Sequence, residues 1–325
     1  MKTILGIESS CDDTGIGIVE NGCKILVNDI SSQIDVHATF GGVVPEIASR
    51  LHTTVISQML DHALEKINQP IDAVAYTNGP GLMGSLLVGA NFAKAFAMAR
   101  NLPAIPIHHI EGHIFSAFLQ GEKPQFPCLV LVVSGGHTQL IQCNEAHNYK
   151  VLGTTRDDAV GESFDKVARL LDLPYPGGPS IQKAAYDGDP KAIRFPRAFS
   201  NTDNLEFSYS GLKTAVLYER QRNPETPIAA VAASFQWAAV DSLVIKTKQA
   251  IEQTNAPRLI VAGGVAANQL LRDRLTNELD IPVLLPEMRV CMDNGAMIAA
   301  VAHSRVLHNN YTTGWDTTPT PSISL

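Results

Sequence analysis

The chain has 325 residues, more than a single hydrophobic core usually accommodates, so two lobes are expected. A composition of 45% hydrophobic and 18% charged residues, with 24 Gly and 19 Pro, is that of a globular protein rich in tight turns and excludes wholesale disorder. The net charge of −7 argues against broad nonspecific binding to nucleic acid and leaves room only for a local basic face.

Residues 3–8, 14–20 and 24–29 read as three short strands joined by polar turns, the pattern of an antiparallel meander. The Met1-Lys2-Thr3 start leads into the first of them and does not resemble a signal sequence, and no apolar run has the length of a membrane span. A cytoplasmic protein without membrane association is therefore expected. A helix follows over 45–66, a strand over 71–77, a turn at Asn78-Gly79-Pro80-Gly81 and an Ala-rich helix over 82–100. A short strand over 104–107 leads into His108-His109-Ile110-Glu111-Gly112-His113, and the first lobe ends at the Gly121-Glu122-Lys123-Pro124 break.

The opening theme then repeats. Residues 128–134, 138–143 and 150–155 again read as three strands, which predicts a duplicated fold. Helices are expected over 161–171, 180–186, 211–222 and 228–253, a buried strand over 258–262, and a helix over 269–278 after the turn Gly263-Gly264-Val265-Ala266-Ala267-Asn268. A last helix over 293–307 returns to the first lobe, and the Thr- and Pro-rich tail is expected to be loose. The predicted class is α/β, with lobes 1–123 plus 296–325 and 124–295, and a nucleotide and metal cleft between them.

Residues i and i+4 of a helix return to nearly one face, so His109 and His113 can share a metal ion. An isolated pair of this kind is equally compatible with hydrogen-bonded histidines. Glu111 lies about 200° around the helix from His109 and points away from such an ion, unlike the glutamate of His-Glu-x-x-His proteases. Asp293 supplies the natural third ligand, a hard oxygen beside two imidazoles, and serves equally as the N-cap of the last helix. The Gly263 to Asn268 turn can present backbone and Asn268 to an adenosine, and Ser134-Gly135-Gly136 can cradle phosphate or simply close a hairpin. The five cysteines show no disulfide spacing, which fits a reducing compartment; Cys11 stands apart from the others, which read as packing residues.

Ile7 to Thr14, Gly41 to Glu46, Asn78 to Gly89, His109 to His113, Ser134 to Thr138, Phe164-Asp165-Lys166, Pro176 to Pro179, Ser208 to Lys213, Gly263 to Asn268 and Asp293 to Met297 together resemble the TsaD family, relatives of the Kae-type subunit. The resemblance runs in order from about residue 3 to residue 305. It implies an actin and sugar-kinase-like two-lobed fold and a tRNA N6-adenosine threonylcarbamoyltransferase. Such an enzyme moves the L-threonylcarbamoyl group from threonylcarbamoyl-AMP to adenosine 37 of tRNAs reading ANN codons. It also implies one divalent metal, Fe2+ or Zn2+, on His109, His113 and Asp293, and adenylate binding by Val132, Val133, Ser134, Gly135, Gly136, Asp165, Gly178 and Asn268, with ATP or AMP able to enter the same cleft. Gln182 stands where relatives often carry an acidic residue. Implied partners are the tRNA anticodon loop, a TsaB-type paralogous subunit, a TsaE-type ATPase and a synthase that supplies the donor.

The donor is already activated, so positioning dominates the chemistry, and a carboxylate is needed to take a proton from the weakly basic amine. Asp12 is the expected base, with Glu8 or Asp13 as substitutes. An ATP-dependent kinase or ATPase of the same fold is the alternative reading, and a metalloprotease a weaker one.

Overall fold

Along β1 (Thr3–Glu8) and β2 (Asp13–Glu20), large apolar residues alternate with small ones, so the two faces of the resulting sheet differ. A computed structural model describes residues 1–119, 121 and 125–325. Contacts divide the chain into two units, Met1–Gln125 with Pro286–Leu325, and Phe126–Leu285. The expected boundary at 123/124 lies outside the described residues.

In the first unit, β1 and β2 join β3 (Lys24–Ser32), β4 (Ala73–Gly79) and β5 (Ala104–His108) in the order β3-β2-β1-β4-β5. The first three strands form an antiparallel meander, while β4 and β5 continue parallel to β1. Leu5, Ile7, Ile16 and Ile18 pack on one face against α2 (Pro45–Glu65) and α3 (Met83–Ala99) through Ile56, Leu60, Ala90 and Ala93. The other face is lined by Gly6, Gly15 and Gly17, and α10 (Gly295–Leu307) lies directly on it: a Cβ at Gly15 would meet the Gly295 nitrogen at 2.7 Å. Pro286–Leu325 therefore belongs wholly to this unit. This corrects the expected return point at 296, which had put Asp293 in the other lobe. The short α1 (Ile34–Ala38) was not foreseen, and α4 (His109–Ser116) carries the histidine pair.

The tail is not loose. Gly314 N donates to Ala104 O at 2.7 Å, Tyr76 OH to Gly314 O at 3.1 Å, Thr320 N to Asn78 O at 2.8 Å, and Gly81 N to Pro321 O at 3.1 Å. Lys94 Nζ also donates to Thr317 O. These are bonds to main-chain groups, so composition carries no trace of them.

In the second unit, β6 (Cys128–Val133), β7 (Thr138–Glu145), β8 (Asn148–Thr154), β9 (Leu259–Ala262) and β10 (Val283–Leu284) follow the order β10-β9-β6-β7-β8. This is again a meander followed by two parallel strands, the same plan as the first sheet. The remaining helices are α5 (Val160–Leu170), α6 (Gly177–Ala184), α7 (Ser210–Arg222), α8 (Ile228–Thr254) and α9 (Gln269–Glu278). Contrary to the expectation that no such run exists, α8 is long and apolar enough to cross a membrane; 67% of its apolar window is buried inside the fold. Its Lys246 donates to the carbonyls of Thr202 and Asn204 at 2.9 and 2.7 Å, so α8 is read as the core helix of this unit.

Candidate metal and adenylate sites

In the first unit the C-terminal ends of β1 and β5 converge on α4. His109 and His113 stand one turn apart with ring centroids 4.7 Å from each other, and Asp293, two positions before α10, completes the group. Asp293 Oδ1 lies 3.1 Å from His113 Nε2 and 3.7 Å from His109 Nε2. One ligand atom from each of the three lies within 4.8 Å of the others. Asp293 is not the helix cap. Asn294 takes that role, its side chain accepting from Met297 N at 2.9 Å.

His113 is fully buried and neither ring nitrogen has the geometry of a hydrogen bond; its close polar neighbour is Asp293 Oδ1, 3.1 Å from Nε2, a setting that suits a shared ion. A tetrahedral ion about 2.1 Å from each donor would separate neighbouring donors by about 3.4 Å. The two spacings from Asp293, 3.1 and 3.7 Å, lie on either side of that value.

Glu8 sits beneath His109, fully buried at the end of β1. Its Oε1 accepts from Ser10 N at 2.5 Å and its Oε2 from Thr77 Oγ1 at 2.6 Å, with His109 Nδ1 3.1 Å from Oε2. Both oxygens are committed. Glu8 is therefore not a substitute base, a correction forced by its burial, and its geometry is that of a carboxylate orienting a histidine. Burial works against ionisation of both groups, but their mutual attraction prevails. The Glu8 carboxyl is held below its ordinary range and His109 is pushed up to about 9.

Asp12 and Asp13 sit half-buried at the turn into β2. Asp13 is pushed up to about 7, first by burial and then, against a bond from Ser32, by Asp293, Asp12 and Glu8. Its Oδ1 is buried without a hydrogen-bond partner. The Cys11 thiol is pushed well above its ordinary value by burial and the adjacent carboxylates, so it stays protonated and unreactive. His52 anchors this turn, with Nδ1 2.7 Å from Thr14 Oγ1 and Nε2 2.9 Å from the Cys11 carbonyl. Sequence reasoning missed His52, and only its fixed distance from the turn in the folded chain reveals it.

Glu111 is fully buried and takes Arg305 Nε and Nη2 at 2.9 and 2.6 Å. Pairing it to α10 removes the general base that a metalloprotease would require beside the ion.

In the second unit, Val132 and Val133 are fully buried within β6, so they shape the sheet and expose no side chain to a ligand. Ser134 N donates to His137 O at 2.8 Å and closes the following turn, in which Gly135 and Gly136 are exposed. Gly161 N donates to Ser134 O at 3.2 Å, bringing the start of α5 to that turn. Asp165 on α5 accepts from Gly177 N at 2.7 Å and so holds the start of α6. A Cβ at Gly135, Gly136 or Gly178 would meet nothing within 4 Å, which leaves three main-chain positions open to a ligand. Asn268 is placed differently from expectation. Its Oδ1 caps α9 by accepting from Leu271 N at 3.0 Å and its Nδ2 donates to Gln236 at 2.9 Å, so the side chain is first of all a structural cap. Gln182 Oε1 accepts from Gln269 N at 2.8 Å and ties α6 to the same helix start.

A family model described as TsaD, tRNA N6-adenosine threonylcarbamoyltransferase, matches residues 24–300. The chain belongs to the TsaD family. Its relatives of that name include the protein of Carboxydothermus hydrogenoformans, 49% identical over 95% of this chain and 94% of its own length. The Bacillus cereus relative is 50% identical over 91% of this chain and 89% of its own length, and the Streptococcus suis relative 48% identical over 100% and 98%. Among solved structures, full-length HypF in its phosphate- and nucleotide-bound form matches with a TM-score of 0.64 at 13% identity, over 96% of this chain and 47% of HypF. The activator of 2-hydroxyisocaproyl-CoA dehydratase from Clostridium difficile matches with a TM-score of 0.54 at 13% identity, over 94% and 96%. These similarities concern the fold, an α/β architecture of the actin and sugar-kinase class. As a TsaD, the chain is a transferase that modifies tRNA at N6 of adenosine.

Proposed function

We propose that this TsaD transfers an L-threonylcarbamoyl group from threonylcarbamoyl-AMP to N6 of adenosine 37 in tRNAs reading ANN codons, with one divalent cation, Fe2+ or Zn2+, held by His109, His113 and Asp293. The carrying observation is the buried, hydrogen-bond-free His113 aimed at Asp293 beside a carboxylate-oriented His109. The cation would supply Lewis-acid polarisation of a donor oxygen.

The chain's own groups perform the remaining work. Glu8 holds Nδ1–H of His109 and so turns Nε2 toward Asp293. Asp12 takes the proton that the attacking amine loses, with Asp13 as an adjacent acceptor already poised near neutrality. The amides of Gly135 and Gly136 and the start of α6 at Gly178 receive the adenylate, where glycine permits close approach of the ligand. Asp165 orders that helix start, and Asn268 shapes the site by capping α9.

The tRNA presents adenosine 37 in its anticodon loop, unpaired and accessible. A substrate of this kind supports a cytoplasmic location. A groove of about 400 Å³ between α2 and α3, lined by Ile56, Leu87, Val88 and Phe92 among others, together with exposed Met83 and Leu87, supports docking of a TsaB-type paralogue there. A TsaE-type ATPase and a synthase that supplies the donor complete the expected system.

Incubation with threonine, bicarbonate, ATP, the donor synthase, the partner subunits and an ANN-reading tRNA tests this reading. Nucleoside mass analysis should show threonylcarbamoyl adenosine at position 37. Absence of the product with demonstrably formed donor, while a relative's protein succeeds, overturns it.

A further inference from the structure

We infer that the tail is a strap that positions the metal-binding helix, and that His108 is the residue through which it acts. The inference rests on the metal reading above. Thr320 N donates to Asn78 O at the end of β4 and Gly81 N donates to Pro321 O just beyond it, so the strap crosses the strand ends. It continues to the end of β5, where Ile323 O lies 3.3 Å from His108 Nε2.

A carbonyl oxygen can only accept, so this contact places the ring hydrogen of His108 on Nε2. The neutral ring then carries its lone pair on Nδ1. That nitrogen accepts from Ile110 N at 3.2 Å and forms the N-cap of α4. Helix α4 has only 8 residues, and its first is the ligand His109. Short helices depend strongly on their ends, because the first four N–H groups have no partner within the helix. A main-chain oxygen at residue 323 thus selects the tautomer that caps the helix bearing His109. Removing it frees the His108 ring to carry hydrogen on either nitrogen. The Nδ1–H form cannot accept from Ile110.

The test compares five proteins: wild type, a chain ending at Pro321, His108→Asn, these two changes combined, and Ile323→Ala. Ending at Pro321 removes Ile323 O and keeps the bonds made by Gly314, Thr320 and Pro321. Asparagine caps through its side-chain oxygen in either setting and has no tautomer to select. Zn2+ affinity, measured by competition with a chromophoric chelator, should weaken about fivefold on shortening the wild type and remain unchanged on shortening His108→Asn. Ile323→Ala, which keeps the carbonyl, should leave affinity unchanged. In the metal-free protein, 15N imidazole spectra should show Nε2–H for His108 in the full chain and a mixture in the shortened one.

Equal weakening in both backgrounds, or an unaltered His108 tautomer after shortening, overturns the strap's role while the metal site stands. Failure of the wild type to bind Zn2+ or Fe2+ overturns the metal reading itself, and the strap's role with it.

Discussion

His109 Nδ1 meets Glu8 Oε2 at 3.1 Å in a setting where Glu8 has no solvent exposure. A buried carboxylate in this position fixes the ring orientation and leaves Nε2 as the atom that faces Asp293, the one that would hold the proposed cation. Replacing Glu8 by Gln keeps the shape and removes the charge. Metal affinity should fall about 10- to 100-fold, with tRNA binding unaltered. Chelator competition measures the first and filter binding the second. Unchanged metal affinity would detach Glu8 from the site.

The same pair gives metal binding a pH signature. Burial opposes the charge on His109, but Glu8 and then Asp293 outweigh it and push the ring from 6.5 up to about 9 in the metal-free protein. A raised value means that this group's stabilisation of the fold is complete below about 6.5 and is lost as pH rises through about 9. A cation must displace the Nε2 proton. Affinity should therefore climb about tenfold per pH unit between about 6.5 and 9 and then level off. Chelator competition across that range, with denaturant unfolding of the metal-free protein alongside, checks both limbs; a flat affinity profile contradicts the pairing.

In the proposed reaction Asp12 takes the amine proton. In Asp12→Asn the rate of tRNA modification should drop at least about a hundredfold, while metal content and donor binding stay as in the wild type. Single-turnover assays with preformed donor separate the step from supply. A normal rate would move the role to Asp13.

Arg305 reaches from α10 to the buried Glu111 on the histidine helix. Arg305→Ala removes the guanidinium from a carboxylate that remains buried, and should destabilise the protein by about 3 kcal/mol in denaturant unfolding. Arg305→Lys should recover part of the loss. A change below about 0.5 kcal/mol would show that Glu111 is held by other means.

Much of this fold is legible because local rules and tertiary packing agree. The two meanders, the placement of α4 and the gathering of His109, His113 and Asp293 into one group follow from periodicity and donor chemistry. What stayed hidden is of another kind. Glu8 belongs to a histidine 101 positions away, and nothing local distinguishes it from Asp12. Strand β10 has two residues and α1 five, too few to show a period. Asn268 follows a glycine-rich turn and precedes a helix, so a phosphate-site pattern and an ordinary cap look alike until the partner atoms are known. The tail's bonds run largely to main-chain atoms, and its Thr and Pro residues give no sign of them.

The glycine floor beneath α10 carries a further implication for variation. Helix and strand touch there main chain to main chain, and Asp293 lies two positions before Gly295, the first residue of that helix. Saturating positions 6, 15, 17 and 295 and selecting for bound cation should return glycine alone, because a single added methyl would lift the helix and carry the aspartate's oxygen out of reach of both imidazoles.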